Sequence, residues 1–475
     1  MTGGPVTIVG GGIGGLAAAL FLARRGRQVE VLEQDPHPPE EVGAAAVTPR
    51  RGTPQAGQSH AFVARCHALL AAEAPEVLDQ LVAVGAGQLR LDANLPGDLL
   101  APPPPDPDLI VLTARRPVFE WALRQVVERE PGVTVRHGVH VTGLTRADEG
   151  IVGRVTGVTL DDGTSVAGEL VVNACGRRSA GAGWLADLNL PEGQRSPCGI
   201  SYYSRFFRLR PGSEPGPLNR GYVAGGSFDR YSCLVFPADD GTFSVTFGVL
   251  PEDRDLRSLR HDDAFLAAAR AVPLVADWLD PDRAEPLGSV AGMHGLVNTL
   301  TPPAPGGRPT SIGLLPVGDA AMITNPAHTR GTTLALLSAS LLAAAAAAHP
   351  GDPASAALAL QEAYDREITP WYADSVEQDE ARLASWRSEA PPPPIAERVT
   401  NGEAYGASQR DPVVWQAFTR RQQLLEPASA VLGEPELVAR VRAVQASGWT
   451  PPRFDAPSHQ QLAELAAALS LSTAG

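Results

Sequence analysis

Val6-Thr7-Ile8-Val9-Gly10-Gly11-Gly12-Ile13-Gly14-Gly15 and, a little further on, Val29-Glu30-Val31-Leu32-Glu33 decide how this chain is read. The first stretch is an apolar strand running into a G-x-G-x-x-G turn; an Ala-rich helix follows through Ala17–Ala23. Gly10 permits the tight turn, Gly12 lets backbone approach a diphosphate, and Gly15 lets the helix pack on the strand. The orphan N–H groups of Ile13 and Gly14 begin a helix whose positive end faces an anion. Glu33, at the tip of the second strand, is placed to accept from a ribose hydroxyl. Strand, glycine turn, helix and acidic strand end together predict a dinucleotide-binding β-α-β unit.

Composition bounds what surrounds that unit. A chain of 475 residues can bury a large core and hold two intertwined domains plus an extension. The net charge of −14 disfavours nucleic acid and anionic membrane surfaces as partners. Cys66, Cys175, Cys198 and Cys233 form no C-x-x-C pair, so they read as reduced thiols, not a disulfide framework, and no metal site is expected. The N-terminus lacks a basic leader, which predicts a cytoplasmic protein. Leu334–Ala348 is apolar, but short and Ala-dominated, and reads as a core helix, not a membrane span. All 39 basic residues are arginines. Schiff-base chemistry and P-loop phosphate handling need a lysine and are excluded.

Along the chain, helix is predicted over Ala61–Leu81, Arg116–Glu130 and Asp262–Asp280. Strands are predicted over Val133–Leu144, Ile151–Leu160, Ser165–Asn173 and Ser311–Gly318, with Asp161-Asp162-Gly163 as a turn. Residues 200–249 alternate as an antiparallel sheet, and 350–475 read as Pro-interrupted helices with a linker at Pro391–Pro394. The expected class is α/β with α+β elements. A discontinuous Rossmann-like domain (1–60, 105–185, 300–350) interleaves with a mixed or antiparallel sheet domain (61–104, 186–299), and a helical extension spans 351–475.

A second motif lies at Leu314-Leu315-Pro316-Val317-Gly318-Asp319, a strand ending in Gly-Asp, followed by Asn325-Pro326-Ala327-His328-Thr329-Arg330-Gly331 and a helix. An aspartate there can bind a polyol hydroxyl, and the helix N-terminus can stabilise negative charge on a ring. With Arg50-Arg51-Gly52-Thr53-Pro54-Gln55 and Arg116-Pro117-Val118-Phe119-Glu120-Trp121, these segments resemble the FAD-dependent monooxygenases of the aromatic-hydroxylase superfamily, with the glutathione-reductase-like FAD fold. The hydroxylases and epoxidases of bacterial natural-product pathways are the most similar subset. The resemblance spans roughly residues 1–350. It implies FAD held by Gly10, Gly12, Ile13, Gly14, Gly15, Glu33, Arg51, Arg116 (diphosphate), Val141 (adenine, through backbone), Gly318, Asp319 (ribityl chain), Pro326, Gly331 and Thr332.

The resemblance further implies insertion of one atom of O₂ into a small molecule, by hydroxylation or epoxidation. NADPH or a partner flavin reductase would supply electrons. An FAD-dependent reductase or dehydrogenase acting on a C–C bond without O₂ is the alternative. Two departures stand out: Asn173 where the family carries Asp, and Thr329-Arg330-Gly331 at the flavin loop. Arg330 would either face the flavin and stabilise its reduced anionic ring or pair with a surface carboxylate, and His60, His294 and His328 are candidate bases. Related halogenases carry a catalytic lysine and a Trp-x-Trp-x-Ile pair, and neither exists here. Tyr202, Tyr203, Phe206, Phe207, Tyr222, Tyr231 and Phe236 predict an aromatic wall and a hydrophobic or aromatic substrate. A monomer or homodimer is expected.

Overall fold

Val6, Ile8, Val29, Val31, Leu170 and Val172 alternate with Thr7, Glu30 and Val171 along three neighbouring strands, and the apolar set buries against helices. In the computed structural model, residues 3–50, 52–147, 153–177, 183–188, 193–389, 397–452 and 454–470 are described. The chain starts β1 (Val6–Val9), α1 (Ile13–Arg24), β2 (Val29–Glu33) and α2 (Val42–Val47). Helices α3 (Ala64–Glu73) and α4 (Pro75–Ala83) precede the hairpin β3 (Gly87–Arg90) and β4 (Ile110–Thr113). Then come α5 (Arg116–Val127), β5 (Val133–His137), β6 (Val141–Ala147), β7 (Arg154–Leu160), β8 (Ser165–Ala167) and β9 (Leu170–Asn173).

Proline explains one break: Pro75 has no N–H and begins α4, so the expected helix over 61–81 splits in two. Gly138, at φ 70°, turns the chain out of β5 and divides the strand expected over 133–144 between two sheets.

Between β9 and the second motif the chain forms β10 (Gln194–Pro197), β11 (Ser201–Leu209), β12 (Ala224–Ser227), β13 (Tyr231–Pro237) and β14 (Thr242–Val249). It continues through α6 (Asp262–Arg270), α7 (Pro273–Ala276), β15 (Ala284–Met293) and β16 (Val297–Leu300). The second motif supplies β17 (Leu314–Pro316) and β18 (Met322–Ile323), and helices follow: α8 (Gly331–Ala348), α9 (Pro353–Glu367), α10 (Thr369–Trp386), α11 (Asn401–Ser408), α12 (Pro412–Gln422), α13 (Pro435–Ala446) and α14 (His459–Ser470). The Pro391–Pro394 linker lies outside the described residues.

The central parallel sheet runs in the order β17-β9-β1-β2-β5. The chain leaves β1 in one direction through β2 and returns on its other side as β9, so the ends of β1 and its neighbours form a crevice. Helices α1, α5 and α8 cover one face; on the other, Val9, Leu32, Val171 and Leu314 meet Val155, Val158 and Leu160 of the β6-β7-β8 sheet. The 61–104 segment, expected with the antiparallel sheet, instead sends Phe62, Cys66, Leu70, Val77 and Leu81 into the core of the parallel one.

Helix α8 is, among the described residues, the one helix long and apolar enough to cross a membrane, and 72% of it is buried in this fold. It packs on α1, α3 and α9.

The large antiparallel sheet runs β12-β13-β14-β11-β15. Tyr203, Phe207, Tyr231, Phe243, Val245 and Phe247 share its outer face with α6, α7 and α14. That corrects the aromatic wall: Tyr203, Phe207 and Tyr231 face helices, because the strand alternation that turns Ser204 to one side sends them to the other. Helices α11, α12 and α13 close a small core of their own around Val414, Phe418 and Val441.

Candidate functional site

A cavity of about 480 Å³ opens at the ends of β1, β2 and β17. Gly10, Gly12, Ile13 and Gly14 line it from the first motif, and Gly318, Asp319, Pro326, Gly331 and Thr332 from the second. Glu33, Arg116, Val141 and His60 line it too. The structure therefore brings to one cavity residues spread from position 10 to 332. Gly15 does not line it. A Cβ on Gly15 would stand 1.9 Å from the Gly10 carbonyl oxygen, so its role is the close approach of α1 to the glycine turn. Gly10 itself holds φ at 108° against the backbone of Ala174. Arg51 lies outside the described residues.

Two helix N-termini meet at this cavity, α1 through Ile13 and Gly14, and α8 through Gly331 and Thr332. They pack together where Gly14 faces the Gly318 Cα, and the Gly318 N–H donates to Ser338 Oγ of α8 at 2.9 Å. First-turn N–H groups have no helical partner and carry the positive end of the dipole, so both helices present donors to an electron-rich ligand.

Glu33 accepts from the Gly11 N–H at 2.7 Å and the Asp35 N–H at 2.8 Å. Arg50, a residue missed from sequence, lines the cavity beside it and pairs with Glu33 at 3.0 Å, Asp35 at 3.3 Å and Glu120. A carboxylate offers about four acceptor positions, so Glu33 Oε1 retains capacity for a hydroxyl. Arg116 Nε and Arg177 Nε are buried without a hydrogen-bond partner, as is Glu120 Oε2. Arg177 Nε stands 3.5 Å from Asp319.

The candidate bases divide. His60 donates from Nδ1 to the Gln58 carbonyl at 2.8 Å. Burial, followed by the charges of Arg116 and Arg177, pushes its pKa down to about 3 against the backbone bond, so the ring is neutral. His328 does not line the cavity; it is largely buried, with Nε2 3.4 Å from Asp379, and desolvation lowers its pKa. His294 is exposed and meets Tyr203 edge-on.

Arg330 is not at the cavity either, which corrects its placement among the catalytic candidates. Its side chain is fully buried, pairs with Asp374 of α10 at 2.5 Å, and stacks 4.7 Å from the Trp371 ring. Arg421 of α12 shares the same carboxylate. Neither reading of Arg330 holds as expected: it does pair with a carboxylate, but a buried one in the interior, not one at the surface.

A second network fixes the loop before α8. Asn325 accepts from the Tyr202 hydroxyl at 2.7 Å and the Ala327 N–H at 3.1 Å, while its Nδ2 donates to Asp379 at 2.5 Å. Asn298 donates to the same Asp379 at 2.8 Å. These partners come from β11, β16 and α10, so no local pattern around Asn325 announces them.

Toward the antiparallel sheet, the cavity-lining Gln58 and Ser59 meet a polar strip. Ser204 donates to Gln58 at 2.8 Å, and Ser59 bonds Ser244 at 2.7 Å and also Thr246. Beside that strip, Ala61 packs with Tyr222, Val223, Leu234 and Phe236. Of the expected aromatics, Tyr222 and Phe236 pack beside this strip, with Tyr222 bonded to Thr329 at 3.1 Å, while Tyr202 and Phe206 share the Ser204 face of β11.

Residues 8–71 match the model of the NAD(P)-binding Rossmann-like domain. Over 32 residues the chain is 72% identical to 3-hydroxybenzoate 6-hydroxylase of Polaromonas naphthalenivorans (strain CJ2), a match covering 7% of this chain and 8% of that protein. The solved structure of PqsL, a probable FAD-dependent monooxygenase from Pseudomonas aeruginosa, superposes with a TM-score of 0.57 at 19% identity, covering 80% of this chain and 96% of that one. p-Nitrophenol 4-monooxygenase PnpA from Pseudomonas putida DLL-E4 gives 0.55 at 16% identity, over 94% and 97%. The chain has the fold of the flavin-dependent monooxygenases. The flavin-dependent brominase Bmp2 shares it too, with a TM-score of 0.59 at 14% identity over 93% and 98%. The mixed architecture expected from sequence, a Rossmann-like layer interleaved with antiparallel sheet and followed by helices, is the one observed.

Proposed function

We propose that this protein is an FAD-dependent monooxygenase that inserts one oxygen atom of O₂ into a small, largely apolar molecule. The observation that carries the reading is the convergence of two helix N-termini, from α1 and α8, on one cavity. FAD has two electron-rich parts, a diphosphate and a ring system, that such a pair of donors suits. The arginines and carboxylates fit as well. Arg116 and Arg177 each keep a buried Nε in a long ion pair, at 3.7 Å from Glu120 and 3.5 Å from Asp319, with no hydrogen bond; Glu33 Oε1 retains acceptor capacity, and the Gly10–Gly15 turn leaves no Cβ where backbone must come close. When bound, FAD would supply the two-electron chemistry and the reaction with O₂.

The protein's part is to hold and to exclude. Gly12 to Gly14 and Arg116 would bind the diphosphate, Glu33 the ribose, Val141 the adenine by backbone, and Asp319 the ribityl chain. Pro326, Gly331 and Thr332 would border the ring. Ala61, backed by the apolar group of Val223, Leu234 and Phe236, would meet the substrate's body, while Gln58, Ser59 and neutral His60 orient a polar substituent. No proton need be held at His328 or Arg330, both withdrawn from the cavity.

NADPH visiting transiently, or a partner reductase, would bring electrons. Four free cysteines agree with a cytoplasmic setting. The absence of lysine separates the proposed activity from the halogenases that share the fold.

Acid precipitation of the purified, FAD-saturated and desalted protein tests the reading. One equivalent of FAD in the supernatant, identified by mass, is expected. FMN, NAD or no bound nucleotide would contradict it.

A further inference from the structure

At the outer edge of the parallel sheet, outside the cavity lining, three residues from separate elements gather candidate ligand atoms. His37 lies in the loop after β2, Glu128 directly follows α5, and His137 ends β5. His37 Nε2 and His137 Nε2 each stand 3.4 Å from the same oxygen, Glu128 Oε1, and all three ligand atoms lie within 4.8 Å of one another. The two imidazole rings meet edge-on with centroids 4.7 Å apart.

His137 and Glu128 form a hydrogen bond at that spacing, but a long one, since a charged pair prefers about 2.7–2.9 Å. The spacing equals the edge of a metal tetrahedron. Ligands about 2.0–2.1 Å from Zn²⁺ stand roughly 3.4 Å from each other. We propose that His37, Glu128 and His137 bind a divalent transition metal, Zn²⁺ by ligand type and geometry, with water completing the tetrahedron. Two histidines with one glutamate form a donor set that zinc uses where a coordination position stays open.

The local structure holds the ligands ready. Pro36, Pro38 and Pro39 restrict the backbone around His37. The Gly138 N–H donates to Asp35 O and the Val139 N–H to Glu33 O, each at 3.0 Å, which ties the His37 loop to the end of β5. The far end of that loop is anchored by Trp121 Nε1, which donates to Glu40 O at 2.7 Å. A bound ion would lock together the two segments that line one end of the cavity, Leu32–Gln34 and Val139–Val141. Sequence reading expected no metal because it sought cysteine pairs, and these ligands are 91 and 9 residues apart.

A second cluster, Asp253, Asp255 and His459, does not share this character. There His459 Nε2 meets Asp253 at a full hydrogen-bond distance of 2.6 Å, and Arg230 stands 3.2 Å from its other nitrogen. That histidine is already satisfied.

Calorimetric titration of the tag-free, chelator-dialysed protein with ZnCl₂ tests the site. One equivalent should bind, with X-ray absorption at the zinc edge showing only N/O ligands, imidazole among them. His37→Ala, at a half-exposed ring, should fold normally and weaken binding at least tenfold, as should Glu128→Gln. Zinc should raise Tm in the natural protein and not in either variant. No stoichiometric binding, sulfur ligation, or binding unchanged in His37→Ala would overturn the assignment.

Discussion

Arg330, which caps α8, reaches the Asp374 carboxylate of α10 at 2.5 Å, and both side chains are buried. The turn that borders the cavity is thereby fixed from behind by the C-terminal helices, because Arg421 of α12 grips the other oxygen of the same carboxylate. Two guanidiniums on one carboxylate, each also over the Trp371 ring, make Asp374 the keystone of that contact.

Asp374→Asn should therefore be severe. It leaves two buried arginines without their countercharge, a loss of about 3–5 kcal/mol. Denaturant unfolding measures it. Burial raises the Asp374 pKa, but Arg330 and Arg421 outweigh it and hold the carboxyl well below its usual range. Its stabilisation is thus complete above the unfolded value near 4 and falls away as pH drops below it. The variant should lose that acid dependence, and an unchanged acid limb would contradict the assignment.

Two glycines separate fold from site. Gly15→Ala collides with the Gly10 carbonyl and should yield protein that is unstable and cannot retain FAD. Gly331→Ala meets nothing within 4 Å, so it should keep its Tm within a few degrees while altering FAD affinity from the cavity side. Thermal melts with and without FAD distinguish the two. Equal behaviour in both variants would be the contrary result.

His60 makes a prediction of opposite kind. Its folded pKa, about 3, lies below the unfolded value near 6.5, so the unfolded chain binds the extra proton between them. Stability from this group is whole above about pH 6.5 and declines by about 1.4 kcal/mol per unit as pH falls toward 3. His60→Gln should flatten that slope. Because the ring stays neutral, activity should show no inflection from His60 between about pH 5 and 8.

Asp319→Ala should affect ligand more than fold. Its contact to Arg177 is 3.5 Å long and partly exposed, so stability should change by less than about 1 kcal/mol. Loss of charged hydrogen bonds to a ribityl hydroxyl would cost about 1.5–3 kcal/mol, or roughly 10–100-fold in the Kd for FAD. Fluorescence titration of FAD reads it directly.

The glycine turn, Glu33 and the Gly318-Asp319 strand end were legible because each is local: a turn, a helix start or a strand tip carries its own chemistry. The fate of Arg330 was not, since its partners Trp371 and Asp374 stand 41 and 44 residues away, on a helix whose packing no short pattern specifies. Alternation in 201–209 announces a two-faced strand but not which face meets the cavity, so Tyr203 and Phe207 were expected inside and Ser204 was overlooked. Pro75 and Pro273 broke helices that composition alone would have continued.

The most direct measurement is the absorbance spectrum of the purified, FAD-loaded protein during anaerobic reduction, first with NADPH and then with dithionite, followed by admission of O₂. The account predicts flavin bands that bleach and then return as oxygen is consumed. Bleaching by NADPH would identify the donor, and bleaching by dithionite alone would point to a partner reductase. A protein that takes up no FAD, or a reduced flavin that persists in air with substrate candidates present, would contradict the monooxygenase assignment.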